Sequence, residues 1–214
     1  MESAIGIDLG TSKVALVLVD IKTRRIVESA TALTDAQIDG LREGRSEQSV
    51  DKIFDAVDRC FKSIDPSLLS SVEVIGVTGQ MHGVMLFNSS KGDTSNLITW
   101  QDQRCLEDGF LDELRDISGD RSINTGFGCA TLAWLAKYDR DLLDRFDCAS
   151  TVQDYLVSKI CAADRVVTDP SDAASWGFFD IASNRWELEK VRACNIPESL
   201  LPDVVPCGSM AGYL

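Results

Sequence analysis

Three short stretches of this chain hold the residue types that chemistry on a phosphate or a polyol requires. The first is Asp8-Leu9-Gly10-Thr11-Ser12. Gly10 lets the backbone pass close to a ligand, and the N–H groups and hydroxyls of a Thr-Ser turn donate to phosphate oxygens. A carboxylate on Asp8 repels phosphate directly, so beside such a turn it makes sense with a divalent cation or its waters in between. Read without that chemistry, the same residues are a tight hairpin with an ordinary aspartate. The second stretch is Gly76-Val77-Thr78-Gly79-Gln80-Met81-His82-Gly83, where an apolar strand runs out into glycine-flanked polar residues. His82 is the chain's one histidine, and ligands of open α/β sheets bind just beyond the carboxyl ends of strands. That setting favours a binding role over a core or surface one. The third is Thr99-Trp100-Gln101-Asp102-Gln103-Arg104. Asp102 and its amide neighbours offer acceptors and donors to several hydroxyls, and Trp100 a flat apolar wall; the plain alternative is a polar turn around one buried Trp.

These residues need a scaffold. Ile5–Asp8 and Lys13–Asp20 read as two strands joined by the four-residue turn, and Arg25–Ala32 as a third that pairs with them. Residues 35–46 form a polar loop holding Gly40 and Gly44. Residues 48–64 carry Val50, Ile53, Phe54, Val57, Phe61 and Ile64 at the spacing of an amphipathic helix, with Asp65-Pro66 to stop it. The β-branched run Val72–Thr78 follows, and a strand after a crossover helix lies parallel to the first. Val84–Phe87 and Asn96–Trp100 read as a second hairpin. Further helices are expected at 106–117, 131–143, 154–161 and 187–195, and Asp169-Pro170 as an N-cap with Pro at the first helical position. The fold class is α/β, a mixed sheet with flanking helices, and residues 1–214 are expected to form one lobe.

Composition narrows the partners. With 214 residues, 44% of them hydrophobic, the chain can build a proper core. Its longest apolar run, Val14–Val19, is far short of the roughly 20 residues of a membrane span, and no basic-then-apolar leader opens the sequence. A net charge of −13 argues against nucleic acid, which is held by clustered Lys and Arg. Seven scattered cysteines without a Cys-x-x-Cys suggest neither a disulfide framework nor a zinc site, and fit a reducing cytoplasm. The expected ligand is a small molecule.

In order along the chain, Asp8-Leu-Gly-Thr11-Ser12, Gly79-Gln80-Met81-His82-Gly83 and Trp100-Gln-Asp102-Gln-Arg104 resemble the N-terminal half of FGGY-type carbohydrate kinases. These kinases have the ribonuclease-H-like fold of the actin/hexokinase/Hsp70-like ATPases. Gly126-Phe-Gly-Cys129-Ala-Thr131, Trp134-Leu135, Asp154-Tyr155, Ala173-Ala-Ser175-Trp176-Gly177 and Leu200-Leu-Pro-Asp203 are similar to the sedoheptulokinase branch of that family.

The resemblance implies ATP-dependent, Mg²⁺-assisted transfer of a γ-phosphoryl group to the terminal primary hydroxyl of a ketose, sedoheptulose giving its 7-phosphate. By the family pattern Asp8 acts near Mg²⁺, Gly10, Thr11 and Ser12 line the phosphates, and Met81, His82 and Asp102 face the sugar. The aspartate that accepts the hydroxyl proton lies, in the family, in a Gly-rich segment beyond residue 214, and adenine is held by a C-terminal lobe that partners this one. The chain is therefore expected to be the first half of an enzyme and inactive alone. Two other readings compete: a catalytically silent sugar-binding or regulatory module, and a ribonuclease-H-like nuclease, which the charge of −13 disfavours.

Overall fold

The structure, a computed structural model, describes residues 2–90, 92–161 and 165–213. These gather into two compact units, one from residues up to Ala36 and Ser49–Gln80, the other from Gln37–Gln48 and Met81 onward.

The first unit is a four-stranded mixed sheet under one long helix. Its strands are β1 (Ser3–Leu9), β2 (Lys13–Asp20), β3 (Arg25–Leu33) and, numbered in chain order, β5 (Val72–Gly79), in the spatial order β3-β2-β1-β5. β1 and β2 are antiparallel, with Leu9 opposite Val14 across the Gly10 turn, and β5 runs parallel to β1, Gly76 beside Gly6. The predicted third strand joins β2 alone, as an edge. Alternation explains which side is covered: Ile5, Ile7 and Leu9 on β1 and Val14, Leu16 and Leu18 on β2 are all buried. Helix α1 (Val50–Lys62) covers this face with Ile53, Ala56, Val57 and Cys60. Its start is set by Ser49, whose hydroxyl accepts from the Lys52 N–H. Asp65-Pro66, expected as a stop, instead opens a one-turn helix α2 (Pro66–Leu69), with Asp65 as N-cap. At the other edge, no strand among the described residues pairs with the outer side of β5.

The second unit is mainly helical, with short two-stranded ladders. β4 (Glu47–Gln48) pairs with β7 (Leu97–Ile98), and β6 (Met85–Phe87) with β8 (Cys148–Ser150). The expected second hairpin survives as two isolated bridges, Val84 with Ile98 and Phe87 with Thr94. After a short 3₁₀ helix (Arg104–Gly109) come α3 (Phe110–Ser118), α4 (Gly128–Tyr138), α5 (Arg140–Leu143), α6 (Val152–Ile160), α7 (Pro170–Trp176) and α8 (Leu188–Ala193). The remaining ladders join β9 (Val167–Thr168) to β12 (Asp203–Val204) and β10 (Phe179–Asp180) to β11 (Arg185–Trp186). The predicted helix 106–117 is broken, because Asp108 and Gly109 take left-handed backbone angles and α3 restarts at Phe110. The predicted helix 131–143 divides at Asp139, which caps α5 through the Leu142 N–H. One apolar core, from Val84 through Leu114, Leu132 and Trp176 to Leu200, holds these elements together.

Ile53 sits at the centre of the first core with no exposed surface. Ile53→Ala is expected to destabilise the chain by about 2–5 kcal/mol in urea denaturation. A loss below about 1 kcal/mol would mean that the α1 face is not the core of this unit.

Candidate active site

In the first unit the Gly10 turn is closed by the Gly10 N–H, which donates to the Lys13 carbonyl at 3.0 Å. A Cβ on residue 10 would stand 3.0 Å from that same carbonyl oxygen, so the turn is as tight as glycine allows. Thr11 is tied on both sides: its hydroxyl donates to Gln80 Oε1 at 3.4 Å and its carbonyl accepts from the Thr34 hydroxyl at 3.5 Å. Ser12 and the Asp8 carboxylate are exposed, and that carboxylate has no hydrogen-bond or ion-pair partner among the described residues. A fixed turn thus carries a free carboxylate at the end of β1. Among the described residues no three His, Cys, Asp or Glu side chains cluster as a metal cage.

In the second unit, His82 is half-buried and Met81 exposed. The His82 ring stacks on Phe127, centroids 4.6 Å apart and planes within 6°, and reaches Ser175 on α7. The neighbouring loops meet closely. Gly83 lies against Ile98 and Thr99, where a Cβ would come within 3.1 Å of the Ile98 carbonyl oxygen. Gly126, with φ of +80°, crosses Trp100 so tightly that a Cβ would stand 2.1 Å from its carbonyl oxygen. Gly128 presses on the Trp176 ring, 2.4 Å from where a Cβ would be. The second and third sequence stretches are thereby brought side by side, and Trp100 is exposed at the junction rather than buried.

Asp102 is almost fully buried, and its carboxylate is turned inward. Oδ1 accepts from the Arg104 N–H and Nε, both at 2.8 Å, and Oδ2 from the Ser46 N–H at 2.8 Å and Arg104 Nη2 at 2.9 Å. Arg104 Nη2 also donates to Glu47 at 2.7 Å, and the guanidinium lies over the Trp134 ring. Burial works against the Arg104 charge, but Asp102 and then Glu47 outweigh it and hold the group more firmly protonated. Sequence reasoning named Asp102 and missed Ser46 and Glu47, which lie in and just past a polar loop more than 50 residues away.

A second acidic group surrounds α7. Gln153 donates to Asp172 at 2.9 Å, and Asp169 caps the helix through the Ser171 and Asp172 N–H groups. Although some of the Asp154 residue stays exposed, burial pushes its carboxyl up from 3.8 to about 7. The charges of Asp172 and Asp169 add to this, and bonds from Thr151 and Thr168 oppose it. The Asp172 carboxyl is also raised, by burial first and then by Asp169. All seven cysteines are free thiols; burial lifts Cys105 to about 12, so it is inert rather than nucleophilic.

The profile of the FGGY family of carbohydrate kinases, N-terminal domain, matches residues 3–214. The chain belongs to this family. Among FGGY relatives, mouse sedoheptulokinase is 35% identical over 232 residues and human sedoheptulokinase 36% over 234, each match taking in 97% of this chain and 48% of the relative. The crystal structure of a Brucella ovis protein described as a xyloylose kinase superposes with a TM-score of 0.86 at 26% identity, over 99% of this chain and 44% of that one. The chain thus spans about half the length of the curated relatives it matches. The expected fold is therefore the right one: this FGGY chain has the actin/hexokinase-like architecture. Among the described residues no helix is long and apolar enough to cross a membrane.

Two outcomes test the electrostatics of this FGGY chain. Arg104→Met leaves the Asp102 carboxylate buried without its partner and is expected to cost about 3–5 kcal/mol in chemical denaturation; a near-neutral result would show that water reaches Asp102. Asp154 has a folded pKa above its unfolded one, so its stabilising contribution is full below about pH 4 and is lost as pH rises through about 7. Asp154→Asn is expected to remove that loss, worth up to roughly 4 kcal/mol. Denaturation midpoints between pH 4 and 8 that fall equally in both proteins would refute this.

Proposed function

We propose that this chain is the N-terminal lobe of a sedoheptulokinase-like enzyme that transfers the γ-phosphoryl group of ATP to the terminal primary hydroxyl of a ketose. The observation that carries the reading is Asp8: an exposed carboxylate without a partner among the described residues, at a strand end, beside a turn whose residues are otherwise fixed. That donor set suits a hard divalent cation, since Mg²⁺ keeps most of its waters and takes one or two carboxylates together with substrate phosphates. When bound, Mg²⁺ neutralises charge on the phosphates. Gly10, Thr11 and Ser12 bind and orient those phosphates through N–H and hydroxyl donors.

Met81, His82 and Asp102 form the sugar side of the proposal. Met81 and the exposed face of Trp100 offer apolar contact to the carbon skeleton, and His82 a directed hydrogen bond. Asp102 acts through the loop it holds, because its oxygens are already taken by Ser46 and Arg104. Sedoheptulose is favoured over other ketoses by the 35–36% identity to sedoheptulokinases across 97% of the chain. Proton removal from the hydroxyl falls to an aspartate outside these residues, and adenine to a second lobe. Closure of two lobes around substrate supplies the positioning that phosphoryl transfer depends on, worth up to ~7–11 kcal/mol of barrier.

The test is a coupled assay with ATP, Mg²⁺ and a panel of ketoses, run on the 214-residue chain and on a complete FGGY protein that contains it. The complete protein is expected to phosphorylate sedoheptulose, with His82→Ala weakening sugar binding by about 1–3 kcal/mol, while the chain alone stays silent. Turnover by the chain alone near the ~1–100 s⁻¹ of ordinary kinases, or no ketose phosphorylation by the complete protein, would overturn the reading.

A further inference from the structure

His82 makes its ring contact through Nδ1, which lies 2.5 Å from the main-chain carbonyl oxygen of Ser175. A carbonyl oxygen only accepts, so the hydrogen of this bond belongs to Nδ1. A neutral imidazole carries one N–H, and the other nitrogen must then present a lone pair. No group among the described residues bonds to Nε2.

We infer that His82 is held as the Nδ1–H tautomer, with Ser175 and Phe127 as positioning residues that present Nε2 as a hydrogen-bond acceptor for a substrate hydroxyl. Three observations converge on it. Ser175 is the penultimate residue of α7, so its carbonyl is among those that a helix C-terminus leaves without an intrahelical partner. The ring N–H satisfies it. The same Ser175 also takes the His82 main chain: the His82 N–H donates to Ser175 Oγ at 3.1 Å, and that hydroxyl donates onward to the Asp172 carbonyl at 2.8 Å. His82 is thereby fixed at both ends of its side chain, in a left-handed conformation with φ of 69° that a non-glycine residue adopts only when its surroundings hold it. The third is the stack on Phe127, which closes one face of the ring. Phe127 cannot drift, because the glycines on either side of it are pressed against Trp100 and Trp176.

The arrangement has a chemical consequence. A neutral His82 of this tautomer accepts a hydrogen bond from a hydroxyl and gives nothing to a carbonyl or phosphate oxygen at the same point. It selects a group that can donate, which a polyol supplies and an already phosphorylated position does not. The substrate half of the inference rests on the proposed sugar site; the tautomer itself does not.

Because His82 is the single histidine of the chain, one measurement isolates it. The 214-residue protein labelled with ¹⁵N-histidine is examined by long-range ¹H–¹⁵N correlation at about pH 8.5, roughly two units above the ordinary imidazole pKa of ~6.5. The expected spectrum has a pyrrole-type Nδ1 and a pyridine-type Nε2, with an excess of Nδ1–H of several-fold up to about tenfold, as one well-made hydrogen bond provides. An excess of Nε2–H, or comparable amounts of both, would overturn the inference. Ser175→Ala and Phe127→Ala are each expected to lower the excess severalfold, and Phe127→Tyr, which keeps the stack, to preserve it. An excess unchanged in both alanine variants would remove the Ser175 hydroxyl and the Phe127 ring as positioning groups. Sedoheptulose added to the same sample is expected to move Nε2 and leave Nδ1 in place. If both nitrogens stay unmoved while Nδ1–H persists, the tautomer stands and the sugar is the wrong ligand.

Discussion

Arg104 is a fixed positive charge in a place almost closed to water, and the second unit is arranged so that this charge is never alone. Asp102 meets it in bidentate geometry, Glu47 takes its remaining Nη2 donor, and Trp134 lies beneath the plane. A buried pair of this kind adds little net stability compared with an apolar core, but it is severe about geometry, since a misplaced partner leaves a charge without solvent. Segments far apart in sequence must therefore arrive together. The short β4 strand, the loop after β7 and the loop that leads into α4 are all held by this constraint.

The close backbone approaches follow from the same demand for fixed geometry. Gly83, Gly126 and Gly128 stand where any side chain would strike main chain or an indole ring. Packing at that range leaves few alternative arrangements for the loops, and the polyol-binding surface proposed above needs that most. Hydroxyls are small, similar and well solvated, so they are told apart by donors and acceptors held still, not by bulk contact. The Gly10 turn is held by another logic. Its residues are fixed by main-chain and hydroxyl bonds, while the Asp8 carboxylate beside them is left exposed.

The elements most legible in the sequence were those whose signal is local. The β1–β2 hairpin announces itself by a Gly-Thr-Ser turn between apolar runs, α1 by the spacing from Val50 to Phe61, and α7 by Asp169-Pro170. Spacing alone could not see that Asp108 and Gly109 turn left-handed, because apolar residues continue on both sides of the break. The ladders from β8 to β12 are two or three residues long, too short for any alternation to show. Of the site, His82 and Asp102 stood out by type and setting. Ser175 and Phe127 were visible only as parts of family-like motifs, and nothing local connected them to His82, since a carbonyl and an aromatic face are contributed by almost every stretch of chain. Glu47 was hidden by distance in sequence.

The outer side of β5, with which no strand among the described residues pairs, bears on how the protein behaves in solution. A strand with one unpaired side offers a row of amide N–H and carbonyl groups to any other extended segment, and Val74 adds an exposed apolar side chain to it. Glu73 is the one charge along β5, and its repulsion is screened as salt rises. Edge-to-edge pairing between copies is thus a standing route to aggregation, driven by concentration and favoured by ionic strength. Handling in dilute, low-salt buffer follows directly from the order of four strands.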